Sequence, residues 1–322
     1  MLVDPYGRQF RYLRLSITDQ CNYRCDYCLP DGNDRHRDRA QLSLTQIDSI
    51  VAAFAHLGTQ KVRLTGGEPS LRKDLTDIIA QVRQHSGIRH IALTTNGFML
   101  EKQVEHWADA GLDSVNISID SLDPKLFSAI TGHDHLDRIL RGIDKALSLG
   151  ISVKVNSVLM KNINSQALAG YLNWIRDLPI TLRFIELMQT GHNTQFFNQR
   201  HVSAQGIKHS LLQDGWQMIK KPALGGPAEE FSHVEYSGKV GVIMPYSPSF
   251  CSSCNRLRVS SKGRLHLCLF ADQGYDLLDD NVQPNVQSIK DNIKRLVNNK
   301  VGEHYLHQGN TGGTENLAII GG

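Results

Sequence analysis

From residue 11 to about residue 190 the chain alternates two patterns. Short runs in which every second residue is apolar give way to longer stretches with apolar residues at helical spacing. The first run is Tyr12-Leu13-Arg14-Leu15-Ser16-Ile17-Thr18, and others fall at Lys61–Thr65, His90–Thr94, Ser114–Ile119, Ser152–Val158 and Thr181–Ile185. Between them, Thr45 precedes Ile47, Ile50, Val51, Phe54 and Leu57, a helix closed by Gly58. A second helix carries Leu75, Ile78, Ile79 and Val82. Gly87, Gly111 and Gly150 stand between a helix and the next strand, where left-handed helix caps are expected. Six strands with crossover helices predict an α/β fold with right-handed connections, a (β/α)6 partial TIM barrel.

The strands of a parallel sheet covered on both faces should read as nearly continuous apolar runs. These alternate instead. Leu13, Leu15 and Ile17 oppose Arg14, Ser16 and Thr18; Val62 and Leu64 oppose Arg63 and Thr65; Leu93 opposes Thr94. Val115, Ile117 and Ile119 oppose Asn116, Ser118 and Asp120, Val153 and Val155 oppose Lys154 and Asn156, and Leu182 and Phe184 oppose Arg183. The helices need the apolar face, so the polar face points into the barrel and makes its lumen a binding chamber. Arg14, Arg63, Lys154 and Arg183 then project inward. Buried cations without partners cost several kcal/mol apiece. Asp120 can offset one, and the remainder predicts a multiply anionic ligand such as a polyphosphate.

Beyond about residue 192 the alternation stops. Residues 192–231 are irregular, with a turn at Gly225-Gly226-Pro227, and a strand follows at Val240–Met244. Leu277–Asn299 suggests one or two terminal helices, and the tail ends Ile319-Ile320-Gly321-Gly322. The expected division is a barrel core over 1–195 and a second domain over 196–322, with a polar link at Asp31–Arg39.

Composition narrows the function classes. The 322 residues carry 35 Lys+Arg against 32 Asp+Glu, a balance of +3 that gives no reason to expect nucleic acid or a membrane surface as partner. The first residues show no apolar signal region, and no run reaches the ~18 apolar residues of a span. The six cysteines form two triplets, Cys21/Cys25/Cys28 and Cys251/Cys254/Cys268. Two such groups read as two metal sites in a reducing, cytoplasmic setting rather than as disulfides.

The first triplet has C-x3-C-x2-C spacing directly after the first strand. Three thiolates on one short loop hold three irons of a 4Fe–4S cube and leave the fourth without a protein ligand. A structural zinc knot is the alternative, but Tyr23, Asp26 and Tyr27 are poor fourth ligands. Thr65-Gly66-Gly67-Glu68-Pro69 lies at the carboxyl end of the second strand, where barrel sites are built. Its two glycines let a ligand approach the backbone closely. The second triplet is more ambiguous, because Cys251-x2-Cys254 with His266-x-Cys268 also suits a Cys3His zinc site. Arg256 and Arg258, on one side of an extended segment beside it, suit an anion or a planar base.

Taken together, these motifs resemble the GTP 3',8-cyclase family of radical S-adenosylmethionine (SAM) enzymes along nearly the whole chain. The resemblance rests on LRLSITDQCNYRCDYCL at 13–29, RLTGGEPSLRKD at 63–74, TTNG at 94–97, NISIDS at 116–121, VKVNSV at 153–158, FIELMQTG at 184–191, CNRLRV at 254–259 and the closing Gly321-Gly322. Leu29 departs from it, standing where methionine is common, and Asp279-Asp280 stands where the stretch is often basic.

The resemblance implies the first step of molybdenum-cofactor biosynthesis. GTP is cyclised to (8S)-3',8-cyclo-7,8-dihydroguanosine 5'-triphosphate after reductive cleavage of SAM and removal of the ribose 3' hydrogen. It implies that Cys21, Cys25 and Cys28 hold the SAM-binding 4Fe–4S cluster and that Cys251, Cys254 and Cys268 hold a second 4Fe–4S cluster, displacing zinc. Tyr27, Gly67, Ser118 and Met188 are implied to line SAM, and Arg14, Arg63, Thr94, Lys154, Arg183, Arg256 and Arg258 to bind GTP. Gly321 and Gly322 match a catalytic pair. A low-potential electron donor, a downstream pathway enzyme and a monomeric or homodimeric state are the expected partnerships. Two other readings fit parts of the pattern: a radical SAM peptide-modifying enzyme, and a zinc-stabilised nucleic-acid-binding module.

Overall fold

The computed structural model describes residues 1–29, 41–278, 283–313 and 320–321. The expected link at Asp31–Arg39, together with Asp279-Asp280 and Gly322, lies outside the described residues. Six parallel strands form as the alternation predicts: β1 (Tyr12–Thr18), β2 (Lys61–Gly66), β3 (His90–Thr95), β4 (Ser114–Ser118), β5 (Ser152–Leu159) and β6 (Thr181–Glu186). The crossovers carry α1 (Leu44–His56), α2 (Leu75–Arg83), α3 (Leu100–Asp109), α4 (Pro124–Thr131), α5 (Leu136–Ser148) and α6 (Leu168–Trp174). Leu13, Leu15, Leu64, Leu93, Val115 and Val155 are all fully buried, so the apolar face of each strand is the one the helices cover.

Two local expectations are corrected. Helix α1 starts at Leu44, two residues before the start that a Thr45 cap would give. Ser43 is its cap, its side chain accepting from the Gln46 backbone N–H while the Gln46 side chain returns to Ser43. That reciprocal pair satisfies two orphan donors, which Thr45 cannot do from inside the helix. Gly111 and Gly150 take positive φ, at 101° and 75°, but Gly87 does not and closes its turn without a left-handed residue.

The remaining elements are α7 (Thr194–Arg200), α8 (Gln205–Gln213), β7 (Gln217–Met218), β8 (Glu229–Ser232), β9 (Lys239–Ile243), β10 (Arg256–Val259), β11 (Arg264–His266), β12 (Tyr275–Asp276) and α9 (Val286–Val297). The strands among them continue the barrel sheet at both edges. The strand order is β12-β11-β10-β1-β2-β3-β4-β5-β6-β9-β8-β7, in which β10 pairs parallel with β1 and β9 parallel with β6. The barrel therefore has eight parallel strands in an open sheet, each edge strand continued by antiparallel partners. Register places Arg258 beside Arg14, and Arg14 beside Arg63. No helix among the described residues is long and apolar enough to cross a membrane.

Candidate active site

The inward face of the sheet lines one chamber with two ends. Around the first triplet it is walled by Cys21, Cys25 and Cys28, and by Tyr27, Gly67, Ser118, Asp120 and Met188. The other end is walled by Arg14, Arg63, Lys154, Arg183, Arg256 and Arg258, with Cys251, Cys254 and Cys268 across from the strands. Thr94, Asn156, Ile185 and Met188 belong to both ends, so the space is continuous. The second end alone holds ≈ 1150 Å³ free of protein atoms, open mouth included. That is ample for a nucleotide.

The sequence places the first triplet through close backbone contact. A Cβ added to Gly66 would lie 2.2 Å from the Thr18 carbonyl oxygen, and one added to Gly67 would lie 2.3 Å from that of Gln20. The Gly67 and Glu68 N–H groups donate to those same two carbonyls at 3.0 and 2.6 Å. The glycines thus seat the cysteine loop on the end of β2, a use the expectation of ligand approach did not include. Glu68, fully buried, then accepts from Ser70 N–H, Thr95 Oγ1 and Asn96 N–H at 2.9, 2.7 and 2.6 Å. Asn96 donates in turn to Asn22 of the loop at 2.8 Å. Tyr27 Oη donates to Asp120 at 2.7 Å, and the Val158 N–H donates to the other carboxylate oxygen at 2.8 Å. Burial pushes Asp120 up to about 6, against the pull of those two donors.

Asp120 therefore does not offset an inward cation, as the sequence suggested. Its oxygens are taken by Tyr27 and Val158 at the cysteine end. The offset comes from Glu230 on β8, which accepts from Lys154 Nζ at 3.1 Å and Arg183 Nη2 at 3.0 Å. The remaining cations crowd one another. Burial, then Arg258, holds Arg14 well below its ordinary range; burial also lowers Arg258 to about 10 and Lys154 to about 8. Two chamber residues went unread in the sequence although they share the inward parity: Tyr12 and Lys61. Tyr12 accepts from Arg63 Nε, whose Nη1 donates to Thr94 Oγ1 at 3.0 Å. Burial opposes ionisation of this phenol, but Arg63, Arg14 and Lys61 outweigh it and bring it down to about 7.

Gly321, with φ +64°, is tucked against Thr65, where any Cβ would meet the Thr65 methyl at 2.1 Å. Its carbonyl accepts from Arg258 Nη1 at 2.6 Å. Of the expected site residues that are described, all reach the chamber or, for Gly321, its wall.

The donor sets fit iron–sulfur clusters better than single ions. Among the described residues no three His, Cys, Asp or Glu side chains gather tightly enough for one metal ion. His266, which a Cys3His zinc site would need, packs against Gly274 and does not line the chamber with the cysteines. None of the six cysteines is in a disulfide. Among the described residues, buried Asn116 Oδ1, Asn156 Oδ1 and Arg183 Nε have no hydrogen-bond partner, as expected where a polar ligand completes the wall.

A partial barrel with a cysteine triplet seated at the end of its first strand is the architecture of radical SAM enzymes. Residues 15–175 match the profile of the Radical SAM superfamily, and 180–306 match that of Molybdenum Cofactor Synthesis C. Over its full length the chain is 51% identical to the GTP 3',8-cyclase of Photorhabdus laumondii, covering 99% of that protein. It is 50% identical to the GTP 3',8-cyclase of Yersinia pestis, again over all of this chain and 99% of the relative. The chain belongs to the GTP 3',8-cyclase family. Its fold is also similar to Streptococcus suis SuiB bound to S-adenosylmethionine, with TM-score 0.64 over 94% of this chain and 67% of SuiB. At 15% identity that likeness concerns the fold alone.

Proposed function

We propose that this protein cyclises GTP to (8S)-3',8-cyclo-7,8-dihydroguanosine 5'-triphosphate by radical SAM chemistry, at the head of molybdenum-cofactor biosynthesis. The observation that carries the reading is the single chamber between two cysteine triplets, with a wall of arginine and lysine between them. Cys21, Cys25 and Cys28 hold a 4Fe–4S cluster with one iron open to SAM, and Cys251, Cys254 and Cys268 hold a second. When bound, the first cluster and SAM supply an organic radical able to take the ribose 3' hydrogen.

The chain's own part is binding and positioning. Tyr27, Gly67, Ser118 and Met188 shape the SAM end. Arg14, Arg63, Thr94, Lys154, Arg183, Arg256 and Arg258 take the triphosphate and base, and hold the sugar toward the SAM end. Fixing two ligands in one chamber supplies most of what a protein can add to such a reaction. Gly321 meets this wall through the Arg258 contact, and the Gly321-Gly322 pair acts in the cyclisation step. A low-potential electron donor in the cytoplasm supplies the reducing equivalents, and the product passes to a downstream pathway enzyme.

Anaerobic incubation of reconstituted protein with SAM, a reductant and GTP should yield the cyclised nucleotide by mass spectrometry. The protein should carry about eight irons and as many sulfides per chain. Zinc without sulfide, or SAM cleavage with no nucleotide product, would overturn the reading. A peptide-modifying activity has only the distant SuiB fold in its favour.

A further inference from the structure

The loop after α9 brings a lysine to the second triplet that no motif announces. Lys300 is 4% exposed, and no carboxylate lies within ion-pair distance of it among the described residues. Its ammonium donates to the Leu267 carbonyl and lies 5.6 Å from the centre of the Phe10 ring. A carbonyl and an aromatic face stabilise a cation in part, but burying a whole charge calls for a counter-charge. Among the described residues, the acidic groups whose field it shares are the thiols of Cys251 and Cys254. Lys300 also lines the chamber alongside Cys268.

The loop is held in place from the far end of the sequence. Arg8, buried and paired with Asp4 at 2.6 Å, donates to the carbonyls of Val301 and Gly302 at 2.6 Å each, and to that of Cys251 at 3.3 Å. One guanidinium thus ties the lysine loop to the cysteine loop. The loop therefore brings a positive charge to the same triplet.

We propose that Lys300 is a positioning residue for the second cluster, the built-in counter-cation that raises its reduction potential and makes it readily reducible. This rests on the cluster assignment under Proposed function. A cube with three thiolates gains one negative charge on reduction, so a fixed cation close by favours the reduced form more than the oxidised one. Charge and hydrogen bonds near the sulfurs are among the established determinants of such potentials.

The test uses full-length chain with Cys21, Cys25 and Cys28 changed to Ala, so that only the second cluster is present. Its midpoint potential is read by an EPR-monitored redox titration, alongside iron and sulfide content. Lys300→Gln and Lys300→Met should each shift the midpoint to more negative values with iron content retained, while Lys300→Arg should stay near the parent. An unchanged midpoint in Gln and Met variants that hold full iron overturns the proposal. If Gln and Met variants fold by circular dichroism but hold no iron while Arg does, the charge is required even for assembly and the proposal stands. If Arg fails as well, a cation is not what the site needs and the proposal falls. A parent with no iron and sulfide in the second triplet overturns the cluster assignment instead.

Discussion

The two cysteine triplets have the same donor atoms and opposite surroundings. At the first, burial pushes Cys21 up to about 11, with Glu68 adding to the rise, and pushes Cys28 up to about 12, with Cys21 and Asp120 adding. Cys25 is raised by burial and then by Asp120. At the second, burial again pulls Cys254 upward, but Arg256 and Lys300 outweigh it and bring the thiol down to about 7. Cys251 stays raised by its burial, though Lys300 works against the rise. Carboxylates beside the first triplet oppose added negative charge, and cations beside the second welcome it. Identical ligands thus sit in two different fields, carboxylates beside the first triplet and cations beside the second.

The sharpest way to break that comparison is to remove one cysteine from each triplet. Cys25→Ala should abolish SAM cleavage and everything after it, whereas Cys254→Ala should still release methionine from SAM but form no cyclised nucleotide. Equal loss of both signals from both variants would mean the triplets are not functionally distinct. Next in size is the tail. Gly321→Val places a side chain where even a Cβ meets Thr65, in a left-handed conformation that β-branched residues avoid. Cyclisation should fall at least a hundredfold while SAM cleavage stays measurable, both followed by chromatography; undiminished cyclisation would free the tail from its role.

Arg256→Ala tests the cationic end more gently. Loss of one charge-assisted hydrogen bond should weaken GTP binding by about 2 kcal/mol, roughly thirtyfold, by calorimetry. Unchanged affinity would take Arg256 out of the nucleotide site. The mildest test needs no substitution. In metal-free protein, iodoacetamide should modify Cys254 at least about tenfold faster than Cys21 or Cys28 at neutral pH, because only thiolates react. The sign follows from the shifts: Cys254, lowered to about 7, is half ionised there. Cys21 and Cys28, raised to about 11 and about 12, remain protonated until strongly alkaline pH. Peptide mass spectrometry across pH would show two separate rises, and a single common rise would erase the contrast.

The first half of this arrangement was legible in the sequence because strand alternation is local. Arg14, Arg63, Lys154 and Arg183 share an inward parity that two-residue periodicity displays directly, and Tyr12 and Lys61 could have been added by the same rule. The groups that set the field around the triplets were not legible. Glu230 comes from a short antiparallel strand, Lys300 from a loop after α9, and Arg8 from the first residues. None carries a periodic signal, and each meets its partner only through the topology that adds β9 and β10 to the two edges of the sheet. The sequence likewise could not show that Gly66 and Gly67 make room for backbone rather than ligand, since both uses ask for the same missing side chain.

The cation-rich wall has a consequence for the form in which substrate arrives. In solution a nucleoside triphosphate travels largely as its magnesium complex. Here Arg14, Arg63, Arg183 and Arg258 crowd one end of the chamber, and Glu230, the carboxylate seen among them, already accepts from two cations. Such a wall offers little to a divalent metal and much to the phosphate oxygens that metal would shield. On the proposed function these guanidinium groups would do magnesium's work, so the bare nucleotide should be the species bound. Raising free magnesium should compete with binding rather than assist it.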